Sequence, residues 1–126
     1  MKLLVVDDSS VMRKIIKATA DVLQMEVIEA QDGIDALEML SKCHNEIDLI
    51  LLDWNMPEMS GYEVLVEIKS NDKYKDIPVM MVTTEGQKSN IVAAVKAGAA
   101  NYLTKPFAVE ELETKIIECL GEREDY

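Results

Sequence analysis

Short apolar runs rich in aliphatic residues punctuate the chain at Leu3–Val6, Val27–Ala30, Ile47–Leu52, Val79–Val82 and, more weakly, Tyr102–Leu103. Runs without polar alternation suit strands covered on both faces of a parallel sheet. Between them, apolar residues recur with helical spacing. Met12, Ile15, Ile16, Thr19 and Leu23 share one face, and Ile34, Leu37 and Leu40 a second. Val64, Leu65 and Ile68 form a third, Ile91, Ala94 and Val95 a fourth, and Val109, Leu112, Ile116 and Leu120 a fifth. Ser9 or Ser10 can cap the first helix, Ser60–Gly61 opens the third, and Gly98 suits a left-handed end to the fourth. The alternation predicts an α/β fold: a doubly wound, five-stranded parallel sheet of flavodoxin-like (βα)5 type, strand order 2-1-3-4-5.

Composition narrows this picture. The 126 residues make one domain, expected over 1–126, with the polar stretch 121–126 as a frayed tail. A globule of this size buries about two-thirds of its unfolded surface and needs no disulfide or metal to fold. Lys and Arg number 13 against 24 Asp and Glu, a net charge of −11. Such a chain repels nucleic-acid phosphates and anionic lipid, and favours a basic protein partner or a bound cation. Cys43 and Cys119 match no metal-ligand spacing and read as reduced packing residues of a cytoplasmic protein. No apolar run approaches the roughly 18 residues of a membrane span. The apolar stretch after Met1–Lys2 is shorter than the roughly 7–15 residues of a secretory signal.

In sheets of this order, ligands bind beyond the carboxyl ends of the strands. The predicted first strand ends in Asp7–Asp8, the third in Asp53 and the fourth in Thr83–Thr84; the fifth is followed by Lys105–Pro106. The first and third strands are neighbours, so Asp7, Asp8 and Asp53 share a corner and repel one another unless a cation enters. Hard carboxylate oxygens, with waters and a carbonyl, are what Mg²⁺ accepts. Lys105 brings an ammonium and Thr83 a hydroxyl, which completes a cradle for phosphoryl oxygens. An Asp carboxylate can itself be the nucleophile and form an aspartyl-phosphate. Singly, each residue has a plainer use: Asp8 as a helix cap, Pro106 as a first helical residue. Their coincidence at four strand ends favours chemistry. The glycines, at 33, 61, 86, 98 and 121, form neither a dinucleotide fingerprint nor a P-loop. His44 lies near a helix end without a catalytic partner and reads as a surface or cap residue.

Val5-Val-Asp-Asp-Ser-Ser, Leu51-Leu-Asp-Trp-Asn-Met-Pro-Glu-Met-Ser-Gly, Met81-Val-Thr-Thr-Glu and Leu103-Thr-Lys-Pro-Phe together resemble the receiver domain of bacterial two-component response regulators. The likeness spans the whole chain. Asp53-Trp-Asn-Met-Pro, Ala97-Gly-Ala and Tyr102 before Lys-Pro-Phe resemble the single-domain chemotaxis regulators in particular. The resemblance implies that Asp53 is the phosphoacceptor and that a histidine kinase is the donor. It implies Mg²⁺ held by Asp8, Asp53 and the Asn55 carbonyl, with Asp7 acting mainly through water. Thr83 and Lys105 would bind the phosphoryl group, across a cis Lys105–Pro106 bond, and Tyr102 would be an aromatic switch behind Thr83. A downstream protein would dock on the fourth helix, fifth strand and fifth helix, where Lys88, Ile91, Tyr102 and Lys115 are the expected exposed contacts. The domain would be monomeric and catalyse only its own phosphorylation and dephosphorylation. Thr84 stands where the family often has a smaller residue and could narrow access for water. Gly86 loosens the start of the fourth helix. Rival readings are a phosphorelay shuttle and a receiver domain cut from a longer response regulator. A metal-dependent phosphohydrolase is a third, but the loops after the strands are too short for a substrate cap.

Overall fold

The computed structural model describes residues 1–123. Strands β1 (Lys2–Val6), β2 (Glu26–Ala30), β3 (Leu49–Leu52), β4 (Val79–Thr83) and β5 (Asn101–Thr104) alternate with helices α1 (Ser10–Val22), α2 (Gly33–Cys43), α3 (Gly61–Ser70), α4 (Lys88–Lys96) and α5 (Val109–Arg123). The strands pair in parallel in the order β2-β1-β3-β4-β5, as the alternation predicts.

Successive residues of the central strands point to opposite faces, and each face has its own core. Leu4, Val6, Ile50, Leu52, Val79 and Met81 pack with Ala36, Leu40, Val64, Leu65 and Ile68 of α2 and α3. Leu3, Val5, Leu49, Leu51, Met80 and Val82 pack with Ile16, Leu112 and Ile116 of α1 and α5. Leu51 and Leu52 are 1% and 0% exposed, so truncating either to Ala should cost about 2–5 kcal/mol. β2 departs from the expectation of burial on both faces. It is an edge strand, with Glu26 and Glu29 exposed and Val27 and Ile28 half-buried.

Helix faces follow the sequence pattern with shifts. α1 buries Ile16, Thr19 and Ala20, and leaves Ile15 exposed. α2 sits on Gly33, Ala36 and Leu40, so Ile34 faces outward. α4 buries only Ala94; Val95 is exposed. α5 buries Leu112, Ile116, Cys119 and Leu120, and leaves Val109 exposed. Ser9 caps α1, accepting from the Met12 N–H, and Gly98 takes φ +109° after α4. His44 is the C-cap residue of α2, its Nδ1 3.0 Å from the Leu40 carbonyl. The two cysteines form no disulfide; Cys119 is buried and Cys43 half-buried. Of the stretch 121–126 expected as a frayed tail, residues 121–123 belong to α5; residues 124–126 lie outside the described residues. No helix among the described residues is long and apolar enough to cross a membrane.

Candidate functional site

Strand register assembles the site. Val6 lies opposite Leu52, so Asp7 and Asp53 leave neighbouring strands at one level. The Asp53 N–H donates to the Val6 carbonyl (3.0 Å) and the Asp7 N–H to the Ala30 carbonyl (3.1 Å), which extends the ladders into the site. Thr83 lies opposite Thr104, and the Lys105 N–H donates to the Thr83 carbonyl at 2.8 Å. The four strand ends named from sequence therefore converge.

Asp7 and Asp53 are buried, and Asp8 is exposed at the mouth. One carboxylate oxygen from each lies within 4.8 Å of the others. Lys105 enters from the far side, its Nζ 2.7 Å from Asp7 Oδ2 and 3.5 Å from Asp53 Oδ2. Its side chain is 12% exposed, so this ammonium acts with little screening by water. Its shorter contact is to Asp7. The Lys105–Pro106 bond is cis.

Each acid keeps acceptor capacity for a ligand. Asp7 Oδ1 accepts from the Ser9 N–H at 2.9 Å, and Asp53 Oδ1 lies 3.4 Å from the Asn55 N–H. A cluster of three carboxylates with lone pairs available to donate is a hard-oxygen donor set of the kind Mg²⁺ takes, and the Asn55 carbonyl follows two residues after Asp53. The residues present therefore fit the ion that the sequence implied.

Thr83 is fully buried, and its hydroxyl oxygen accepts from the Glu85 N–H at 3.2 Å, which leaves its own proton to donate. The Tyr102 hydroxyl donates to the Glu85 carbonyl. One peptide segment is thus held at its N–H by Thr83 and at its carbonyl by Tyr102. Burial, then the charges of Glu85 and Asp53, push the Tyr102 phenol above its ordinary pKa. Thr84 is exposed, and its hydroxyl lies 3.4 Å from Asn55 Nδ2 across the mouth. Of the residues expected to be exposed on the α4–β5–α5 face, only Lys88 is. Ile91, Tyr102 and Lys115 are half-buried.

Two further residues shape the site in ways the sequence pattern does not show. Arg13 of α1 donates from Nη1 to the Asp7 carbonyl (2.7 Å) and pairs through Nε with Glu29 of β2 (2.9 Å). It fixes the main chain at the acid pair; a lone Arg on a polar helix face carries no such signal. Gly61 opens α3 against the Asp53–Trp54 backbone. A Cβ there would overlap the Asp53 carbonyl oxygen, and the Gly61 N–H donates to the Trp54 carbonyl at 2.8 Å. Only a glycine allows that approach.

Residues 3–117 match the response regulator receiver domain family. The chain is 47% identical to a Campylobacter jejuni protein named as a chemotaxis protein CheY homolog, over 96% of this chain and 93% of that one. It is 46% identical to Helicobacter pylori chemotaxis protein CheY1, over 96% and 98%. Among solved structures, the chemotaxis protein CheY4 of Vibrio cholerae superposes with a TM-score of 0.87 at 34% identity, covering 94% of this chain and 98% of that one. A CheY-like receiver domain from Methanospirillum hungatei superposes with a TM-score of 0.89 at 28% identity, covering 98% and 95%.

Proposed function

Because the chain belongs to the response regulator receiver domain family and is homologous to chemotaxis regulators, we propose that it is a phosphorylation switch whose acceptor is Asp53. It is a signalling domain of two-component systems and not a classical enzyme. The observation that carries the reading is the buried Asp53 carboxylate, set between two further acids and the Lys105 ammonium.

In the proposed reaction, an Asp53 carboxylate oxygen attacks the phosphorus of a phosphohistidine on a kinase. An O–P bond forms, the N–P bond breaks, and the histidine nitrogen leaves with the electron pair and takes up a proton. Asp7, Asp8, Asp53 and the Asn55 carbonyl would hold Mg²⁺, which supplies charge neutralisation for phosphoryl oxygens. Thr83 donates its free hydroxyl proton to one oxygen. Lys105, 3.5 Å from Asp53 at rest, pairs with another. The α4–β5–α5 face, with Lys88, Ile91, Tyr102 and Lys115, then binds a downstream protein, and the domain acts as a cytoplasmic monomer.

Incubation with acetyl phosphate and Mg²⁺, followed by intact-mass measurement, tests the acceptor. The wild type should gain one phosphoryl mass and Asp53→Asn none. Undiminished labelling of the variant would move the acceptor elsewhere.

A further inference from the structure

Helix α3 and the loop before it carry an apolar groove with acidic walls. Met59, Tyr62 and Val66 line its floor, and Glu63 and Glu67 stand beside them. Tyr62 and Val66 are one helical turn apart, as are Glu63 and Glu67, so an apolar stripe runs along the helix beside an acidic one. Val66 is 40% exposed, an unusual position for a β-branched aliphatic residue when α3 already buries Val64, Leu65 and Ile68. The apolar surface continues toward α2. Gly33 packs against Met59, and Ile34 beside it is 55% exposed.

Among the described residues, neither Glu63 nor Glu67 takes part in an ion pair, and neither does Glu58 on the adjoining loop. The single basic residue of α3, Lys69, turns its Nζ inward to the carbonyls of Lys75 (2.9 Å) and Ile77 (2.8 Å). Glu63 is also oriented, because its carboxylate accepts from the Ser60 N–H. An apolar floor beside carboxylates that no cation among the described residues neutralises complements a partner that presents an aliphatic side chain flanked by Lys or Arg. It opposes a second copy of this chain, since each copy carries a net charge of −11.

We propose that the α3 groove docks a cationic amphipathic helix of a partner protein, separately from the α4–β5–α5 face. An apolar side chain of that helix sits over Tyr62 and Val66, and its basic residues pair with Glu63 and Glu67. The Tyr62 ring lies 5.4 Å from the ring of Trp54, the residue after Asp53, so the groove borders the phosphoacceptor loop.

The chain's single tryptophan, Trp54, provides the readout. The full chain is titrated with a helical peptide composed only of Leu and Lys, arranged amphipathically, with fluorescence and backbone amide NMR shifts followed together. Saturable binding is expected, with shifts centred on Tyr62, Val66 and Glu67. Val66→Ser and Glu67→Lys should each weaken it about tenfold or more. Asp21→Lys, the same charge change at an exposed position on α1, should leave it within about twofold, and a Leu/Glu peptide should not bind. Equal loss in Asp21→Lys and Glu67→Lys would reduce the effect to general attraction by an acidic protein and overturn the proposal. So would binding indifferent to Val66 and Glu67, or sedimentation showing that the groove is covered by self-association.

Discussion

Thr83 and Tyr102 meet at one residue, and that shared contact makes them a coupled pair. Thr83 holds the N–H of Glu85 and Tyr102 holds its carbonyl. If the Thr83 hydroxyl moves toward a phosphoryl oxygen, the Glu85 segment must follow or release, and the Tyr102 ring loses its present partner. A ring with a polar tip can be lodged in either of two places at modest cost, which is what a population shift requires. Thr83→Ala and Tyr102→Ala should therefore keep acceptance of phosphate at Asp53. Each should lose most of the gain in target affinity seen with beryllofluoride in the wild type. Retention of the full gain in both would route the signal elsewhere. Tyr102 also carries a pH signature. Its folded-state pKa is raised from 10.0 by burial and by nearby carboxylates, so the fold favours the neutral phenol. The resulting stabilisation is complete below the unfolded value and is lost as pH rises through the folded one. The stability difference between the wild type and Tyr102→Phe should thus hold steady through neutral pH and shrink above about pH 10. Urea titrations across that range check it; a difference that grows with pH would contradict the assignment. Strand-end residues such as Thr83 were legible in the sequence because topology alone puts them together. Arg13 was not, because its contact with the Asp7 carbonyl depends on how α1 lies across β1 and β2.

Helix α3 shows how an element, rather than a residue, places the chemistry. Ser60 caps it with a full capping box: its hydroxyl accepts from the Glu63 N–H while the Glu63 carboxylate accepts from the Ser60 N–H. Gly61 then brings the first turn onto the Asp53–Trp54 backbone. Ser60→Ala should cost about 1 kcal/mol of stability and leave phosphorylation nearly unchanged, since only the cap is lost. Gly61→Ala should cost about 3 kcal/mol or more, because the methyl group meets main chain that cannot swing aside. It should also slow acetyl-phosphate labelling, because the displaced main chain is that of Asp53, the proposed acceptor. Equal melting temperatures for Gly61→Ala and wild type would show that the loop gives way freely. The Ser60–Gly61 helix start could be read from the sequence, but the reason for the glycine could not, since it lies in a tertiary contact. The same limit explains α2. Counting apolar residues selected Ile34, Leu37 and Leu40, whereas the helix rests on Gly33, Ala36 and Leu40. Small residues permit close approach, and Gly33 lies against Val64. A hydrophobicity pattern cannot rank them above an isoleucine. β2 misled for a related reason: its run reads as buried, but an edge strand has one neighbour and needs less cover.

At the scale of the whole molecule, charge is the quantity that links site and stability. The chain carries a net charge of −11, and three of its acids are gathered at the strand ends, where register sets Asp7 and Asp53 at one level. Lys105 offsets part of that repulsion, but its closest contact is to Asp7, while Asp8 stands exposed at the mouth without an ion pair among the described residues. Asp8 is therefore the acid whose charge is least compensated within the fold and most available to an entering cation. If Mg²⁺ enters this corner as proposed, it binds the folded arrangement and not the dispersed acids of the unfolded chain, so it should stabilise by mass action. At about ten times its dissociation constant it adds roughly 1.4 kcal/mol. For a domain of this length that corresponds to a rise of roughly 3–8 °C in melting temperature. Asp8→Asn should act on both sides of this balance. Removing one negative charge relieves repulsion, so the metal-free variant should melt above the metal-free wild type. Removing one ligand weakens the metal, so most of the Mg²⁺-dependent rise should disappear. Asp21→Asn, an exposed acid on α1 away from the strand ends, should leave that rise intact, which separates the local effect from the change in net charge. Melting curves for the three proteins across a Mg²⁺ titration decide the matter. If Asp8→Asn responds to the metal as strongly as wild type, the acid corner is not where the ion binds.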